Sequence, residues 1–377
     1  MKAGLAEARI ESLRTCVVTK AFDKAQWNPR TRWTHKNVVL VILRTERGVH
    51  GVGEAYCDGG APESVVALIE RDLAPLVVGR RLADLGAIAS SMRESMVVSA
   101  KGGAAWAAAS AIDIALWDAL GRSLGQPVCT LLGAQRRSVF AYASAGLYGK
   151  GKTADDLAAE MRGYVAEGFR GVKIKIGGAS HAEDIARVAA VREAIGPDVR
   201  LMVDALYALS VPDALRMARA LERHEVHFLE APVHPDDIDG LARVAAGSPV
   251  PLAGNEFAYG LEGFRRIIEA DGVSYVHLDA ILCGGISEGQ RIAALAASRH
   301  LPVSFHAASS AVCFAANLQL AASAPNVDSV EFHMLHRMLF ERLPEGTFRL
   351  VDGCVEVPDA PGLGLGFDPA VLLEGGG

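Results

Sequence analysis

Gly171-Val172-Lys173-Ile174-Lys175-Ile176-Gly177 is the stretch on which the reading of this chain turns. Its two lysines stand two residues apart, so on a β-strand both side chains take one face while Ile174 and Ile176 take the other. Alone, such a stretch is an ordinary half-buried strand with its lysines in water. Here it lies between two helical stretches in a long alternation of strand and helix patterns, and helices cover the outer face of a sheet built that way. The isoleucines belong under those helices. The lysines then point into the sheet's inner space, where a charge is costly unless something uses it.

Working outward, the alternation starts near residue 138. Strand patterns fall at 139–143, 171–176, 199–203, 226–229, 250–253, 274–278, 302–305 and 328–332. Helical patterns occupy about 153–167, 180–195, 211–223, 235–246, 260–270, 286–299 and 310–323. Eight strands joined by helices, with no hairpin signal between them, predict a parallel α/β barrel of the (β/α)8 TIM type rather than an open sheet.

The N-terminal part has a different pattern. Residues 9–20 and 38–54 read as strands of an antiparallel meander, with Glu46-Arg47-Gly48 as a turn, and helices follow at 62–78, 82–98 and 102–125. Between the strands, the polar and aromatic segment Phe22–His35 reads as a loop that is either disordered or functional. The tail from 341 carries a short hairpin at 347–355 and a glycine-rich loop, Pro361–Gly366, expected to pack back on the N-terminal part. The expected organisation is therefore an α+β capping domain over 1–135, a barrel over 136–340 and a returning segment over 341–377.

At 377 residues, half of them apolar, the chain can bury a sizeable core. A net charge of −6 without a basic run argues against nucleic acid as a partner. No apolar run reaches membrane-spanning length, and Met1–Glu7 lacks the apolar centre of a signal peptide, so a cytoplasmic protein is expected; a homo-oligomer is the expected assembly. The six cysteines are scattered with no CxxC pair, which argues against a zinc site or a disulfide framework.

In a β/α barrel the chemistry sits at the C-terminal ends of the strands. Read in order, those ends carry Lys173 and Lys175, Asp204, Glu230, Glu256, Asp279, His306 and Glu331, nearly all ionisable. Asp204, Glu230 and Glu256 come from successive strands at equal intervals of 26 residues. Neighbouring strands lie about 5 Å apart, so three such carboxylates can converge on one point. Uncompensated, they would repel and take up protons. A hard divalent cation resolves the conflict, and oxygen donors suit Mg²⁺. Taken singly, each acid could instead be a helix N-cap. Asp279 and His306 end the sixth and seventh strands, and a carboxylate beside an imidazole makes a proton-transfer dyad. His306 and Lys175 would then face each other across the barrel with the metal between them.

These motifs resemble the enolase superfamily, specifically its mandelate racemase subgroup. Gly51-Val52-Gly53-Glu54-Ala55 and Ala108–Asp118 look like its capping domain. The Lys173/Lys175 pair, Glu230-Ala231-Pro232, Cys283-Gly284-Gly285-Ile286-Ser287 and His306 match its barrel. The resemblance implies that Asp204, Glu230 and Glu256 are Mg²⁺ ligands. It implies that Lys175 is a base on one face of the substrate, and that His306, paired with Asp279, is the acid or base on the other. Lys173 is implied to lie near the substrate carboxylate and to depress the pKa of Lys175. Glu331 is implied to hydrogen-bond the developing enediolate. One departure stands out: relatives often carry Asn two residues after the first metal acid, where this chain has Leu206.

The substrate class implied is a small hydroxy or sugar acid, and dehydration to a keto-deoxy acid is the favoured reaction. A racemase or epimerase of a 2-hydroxy acid uses the same two bases, and a non-catalytic acid-binding barrel is the reading from another class. A cycloisomerase or dipeptide epimerase should carry a lysine at the sixth strand's end, and Asp279-Ala280-Ile281-Leu282 offers none. In the 22–35 segment, Gln26, Asn28, Arg30, Arg32 and His35 would suit a polyhydroxylated substrate, or simply face solvent. Trp27 and Trp33 would suit an apolar acid.

Overall fold

The computed structural model describes residues 3–58, 61–99, 102–341 and 343–374; residues 1–2, 59–60, 100–101, 342 and 375–377 of the expected segments lie outside it. The chain begins with an antiparallel sheet in the order β1 (Ile10–Trp27), β2 (Arg32–Thr45) and β3 (His50–Ala55). Here the structure corrects the sequence reading. The segment expected to be a loop over 22–35 is mostly strand, with Gln26 paired to Trp33 and Trp27 to Arg32. A register shift between Ala21 and Gln26 interrupts the ladder, and only Asn28–Thr31 turn. The Asn28 side chain closes that turn, its Oδ1 accepting from the Arg30 and Thr31 amides at 2.8 and 2.7 Å. A polar sequence hid the strand because its side chains are not buried in alternation; backbone pairing carries it instead.

The hairpin does not wave free. Trp27 exchanges two backbone hydrogen bonds with Tyr148, at 3.1 and 2.9 Å, just past the first barrel strand. Arg32 stacks 5.4 Å from the Trp27 ring.

Behind the sheet lies the long helix Ala104–Leu124, flanked by Leu85–Ser99. Gly51 and Gly53 of β3 lie directly on its backbone. A Cβ at Gly53 would stand 1.8 Å from the Ala111 carbonyl oxygen, and one at Gly51 2.2 Å from that of Ala115. The Gly-Val-Gly motif is thus a close-approach requirement, not a turn.

Eight parallel strands then close the barrel: β4 (Ser138–Ser144), β5 (Gly171–Lys175), β6 (Arg200–Asp204), β7 (Val226–Glu230), β8 (Leu252–Gly254), β9 (Tyr275–Leu278), β10 (Val303–Phe305) and β11 (Val327–His333). Each pairs with the next, and β11 returns to β4 with Glu331 opposite Tyr142. The helices between them lie near the expected positions, from Ala154–Ala166 to Ala311–Ser323. Outward residues such as Val172, Ile174, Leu201, Val203, Leu229 and Leu278 join one continuous core with those helices. Inward, Tyr142, Met202, Phe228 and Ala253 form a separate apolar floor. The ionisable side chains stand on that floor.

The tail forms the expected hairpin, β12 (Leu350–Val351) and β13 (Cys354–Glu356). Its packing is broader than expected, since β13 adds antiparallel to β4 through Cys354 and Phe140. The following loop does reach the capping elements. Asp118 accepts from the Leu363 amide at 2.8 Å and from the Val52 amide at 2.9 Å, so one buried carboxylate joins β3, the long helix and the tail.

Replacing Gly53 by Ala should destabilise the fold by about 3 kcal/mol, because a backbone carbonyl cannot yield. At Gly48, with φ +75° and nothing within 4 Å of a Cβ, the same change should cost only about 1 kcal/mol. Denaturant unfolding of the two variants side by side checks the difference.

Candidate active site

The strand register aligns the first three site residues. Lys175 pairs with Asp204 across β5 and β6, and Asp204 pairs with Glu230 across β6 and β7. All eight residues singled out from the sequence are buried and gather at the C-terminal mouth of the barrel. Lys173 Nζ donates to Glu230 Oε2 at 2.6 Å and stands 3.2 Å from Glu331 Oε1, with the Tyr142 ring 5.3 Å beneath it. Burial alone would push the Lys173 ammonium down, but Glu230 and Glu331 outweigh it and hold it well above the ordinary lysine range. Lys175 Nζ donates to Asp204 Oδ2 at 2.5 Å.

The other Asp204 oxygen accepts from the Leu206 amide at 2.8 Å. Leu206 and Tyr207 both have positive φ, 41° and 61°. So where relatives often place an amide side chain, the chain turns sharply and offers a backbone N–H. Tyr207 hydrogen-bonds Asn255 at 2.6 Å through its hydroxyl, and its carbonyl accepts from Arg30 of the hairpin tip.

Glu230 and Glu256 are driven apart electrostatically. Burial would raise Glu230, yet His277 and Lys173 hold it far below the usual carboxylate range. Glu256 is pushed up, first by burial and then by the neighbouring Glu230 charge. Glu230 Oε1 and Glu256 Oε2 have no hydrogen-bond partner although both are buried. Glu230, Glu256 and His277 each offer a donor atom within 4.8 Å of the others, a group able to hold a metal ion, and Asp204, expected as a ligand, is not part of it. Orphaned carboxylate oxygens aimed at one point are what a divalent cation would satisfy, so the residues fit one.

On the other side, His306 Nδ1 lies 2.7 Å from Asp279 Oδ2. Burial opposes protonation there, but Glu331 and Asp279 prevail and raise the imidazole to about 9. Its Nε2 lies 3.7 Å from Glu331 Oε2. Glu331 itself is held well below the carboxylate range: burial would raise it, and Lys173 and His306 more than offset that. Asp279 is fixed from behind, Oδ1 accepting from Asn317 Nδ2 at 2.8 Å and from the Ile281 amide at 3.0 Å.

Sequence reasoning passed over His277 and Asn317. His277 precedes Asp279 by two, so the period of a strand places both on one face; that signal was legible. Asn317 sits on the helix Ala311–Ser323, and only the docking of that helix reveals it. Over the mouth, Lys36 of β2 is buried, 3.2 Å from Asp58 Oδ1 and 5.5 Å from the Tyr56 ring centre. Trp33 Nε1 donates to the same Asp58 oxygen at 2.9 Å.

Among known proteins, residues 14–133 match the family model of the mandelate racemase / muconate lactonizing enzyme N-terminal domain, and residues 156–371 match the enolase C-terminal domain-like model. The chain is 34% identical over 337 residues to an arabinonate dehydratase of Saccharolobus solfataricus, covering 89% of this chain and 90% of that protein. It is also 34% identical to a D-galactarolactone cycloisomerase of Agrobacterium fabrum, covering 97% and 98%. A solved racemase from Streptomyces coelicolor A3(2) with bound magnesium matches with a TM-score of 0.88 at 28% identity, covering 97% of this chain and 99% of that one.

Lys173→Met would leave Glu230 and Glu331 buried without their shared cation. It should cost about 3 kcal/mol of stability, read as a fall in the denaturant midpoint at pH 7. Added divalent cation should restore part of the loss, because it supplies the missing positive charge.

Proposed function

The chain belongs to the mandelate racemase / muconate lactonizing enzyme family of the enolase superfamily, and from that premise we propose that it dehydrates a sugar acid, beginning with removal of the proton α to the carboxylate. Asp204, Glu230 and Glu256 would hold a divalent cation, Mg²⁺ in the first instance, which supplies electrostatic stabilisation for the charge developing on the substrate carboxylate. Lys173 adds a fixed positive charge beside that carboxylate. Lys175, at the end of β5, takes the α-proton from one face. His306 meets the other face and protonates the departing β-hydroxyl. Asp279, clamped by Asn317, keeps the imidazole turned with Nε2 toward the substrate, and Glu331 would take up a proton and donate a hydrogen bond to the enediolate oxygen.

The observation that carries this reading is the 2.7 Å Asp279–His306 contact with the imidazole raised to about 9. At neutral pH His306 is an imidazolium, ready to give a proton to a leaving group. A racemase needs it ready to receive one from one of the two enantiomers. The dehydratase among the relatives supports the same choice.

The cycloisomerase relative supports a second reading, since it too aligns over nearly the whole chain. The lack of a lysine at the end of β9 therefore does not dispose of cycloisomerisation. The two reactions differ in mass balance: a dehydratase product has lost one water, and a cycloisomerase product has not.

Incubation with a panel of sugar acids and their lactones plus Mg²⁺ in D₂O, followed by mass spectrometry and NMR, distinguishes them. A keto-deoxy product is expected, and Lys175→Ala and His306→Asn should each reduce its rate by roughly 10²–10⁴-fold. Full activity in both variants would remove the assigned acid and base.

The pH profile supplies an independent check. His306 carries its proton below its raised pKa and loses it above, so turnover should fall on the alkaline side. Asp279→Asn removes one carboxylate that holds the pKa up, so that limb should move to lower pH. A limb that stays in place would assign the acid to another group.

A further inference from the structure

Glu230 Oε1, Glu256 Oε2 and His277 Nδ1 are buried without hydrogen-bond partners, as is Glu331 Oε1, and the first three residues are the ones that cluster as possible metal donors. The His277 ring is fully buried. Its Nδ1 lies 3.1 Å from Glu230 Oε1 and 4.0 Å from Glu256 Oε2. The shorter distance is within hydrogen-bond range and His277 helps hold the Glu230 carboxyl down, so a cation would bind there in place of the Nδ1 proton. An ion with bonds of about 2.1 Å has adjacent donors about 3 Å apart and opposite donors about 4.2 Å apart. Both His277 distances fit that pattern. The far side of the ring suits it too, since Nε2 lies 3.4 Å from the Tyr142 hydroxyl oxygen. A proton on Nε2 donated to that oxygen leaves the Nδ1 lone pair bare and aimed between the two glutamates. Asp204, by contrast, is held by Lys175 and the Leu206 amide.

We propose that His277 is itself a ligand of the divalent cation, through Nδ1, so that the centre has a mixed nitrogen and oxygen donor set. This rests on the cation site of the proposed function. The chemical consequence is selectivity. Imidazole adds little affinity for Mg²⁺, a hard ion that prefers oxygen, and more for borderline ions further along the divalent series. The site is therefore expected to favour Mn²⁺ over Mg²⁺ by more than an all-oxygen set would, with His277 adding to the preference.

Mn²⁺ serves as the probe, because its unpaired electrons report directly bound nitrogen in pulsed EPR. The Mn²⁺-loaded protein should show the ¹⁴N coupling of a coordinated imidazole, replaced by ¹⁵N coupling when histidine alone is labelled. In His277→Gln the coupling should vanish, and the Mn²⁺ Kd should rise about 10–100-fold. The Mg²⁺ Kd should rise less. Histidine labelling of the unaltered protein needs no variant, so the test survives if His277→Gln folds poorly. Mn²⁺ bound without nitrogen coupling, or coupling that persists in His277→Gln, overturns the proposal while leaving the carboxylate site standing. Mn²⁺ binding that is absent, or unaffected by both Glu230→Gln and Glu256→Gln, removes the cation site and this inference with it.

Discussion

Charge balance inside a dry barrel is the constraint on which the rest of the structure depends. Lys173 makes 2.6 and 3.2 Å contacts with Glu230 and Glu331, and Lys175 meets Asp204 at 2.5 Å, all of them buried. Removing a carboxylate or an ammonium from such a set leaves its partner desolvated and unpaired. The ions do not cancel everywhere. Around Glu256, burial first and then the neighbouring Glu230 charge push the carboxyl up, and there the orphaned oxygens lie. A site that keeps unsatisfied charge at its centre stores no stability there, the pattern of a functional site rather than a structural one.

Holding those charges in position takes more than the barrel. Two buried acids of the capping elements reach across and bind helix N-termini of the barrel. Glu54 accepts from the Cys313 amide at 3.0 Å and from the Ser310 hydroxyl, at the start of the helix Ala311–Ser323. Asp113 accepts from the Ser287 amide at 2.9 Å, at the start of Gly285–Ser298. Each negative charge meets the positive end of a helix dipole. The glycines of the Cys283–Ser287 motif follow from this: a Cβ at Gly285 would stand 2.3 Å from Asp113 Oδ2, and one at Gly284 2.8 Å from the Trp106 ring. The helix Ala311–Ser323 also carries Asn317, the clamp on Asp279. Through that helix, the seating of the cap and the orientation of the His306 imidazole are mechanically linked.

Some of the site was legible because a strand has a strict period. Lys173 and Lys175, and Glu331 at the closing strand, face inward for the same reason that Ile174 faces outward, once the flanking helical patterns show which face is covered. His277 obeyed the same period and was overlooked beside Asp279. The hairpin at 22–35 was not legible: Gln26, Arg30 and Arg32 carry no alternation of buried and exposed side chains. Its strand character comes from main-chain pairing with a partner strand, which side-chain pattern does not report.

The sequence by itself determined the barrel, the inward lysines, the row of acids and the Asp279–His306 pair, because periodicity and strand-end position follow from local geometry. Tertiary structure alone decided which charges touch: that Asp204 is held by Lys175 and a turned backbone at Leu206, that Asn317 braces Asp279, and that His277 joins Glu230 and Glu256. Those contacts join residues far apart in the chain, some on strands that are not neighbours. Electrostatic and hydrogen-bond energies depend on distances of a few ångströms, which only the closed and capped barrel defines.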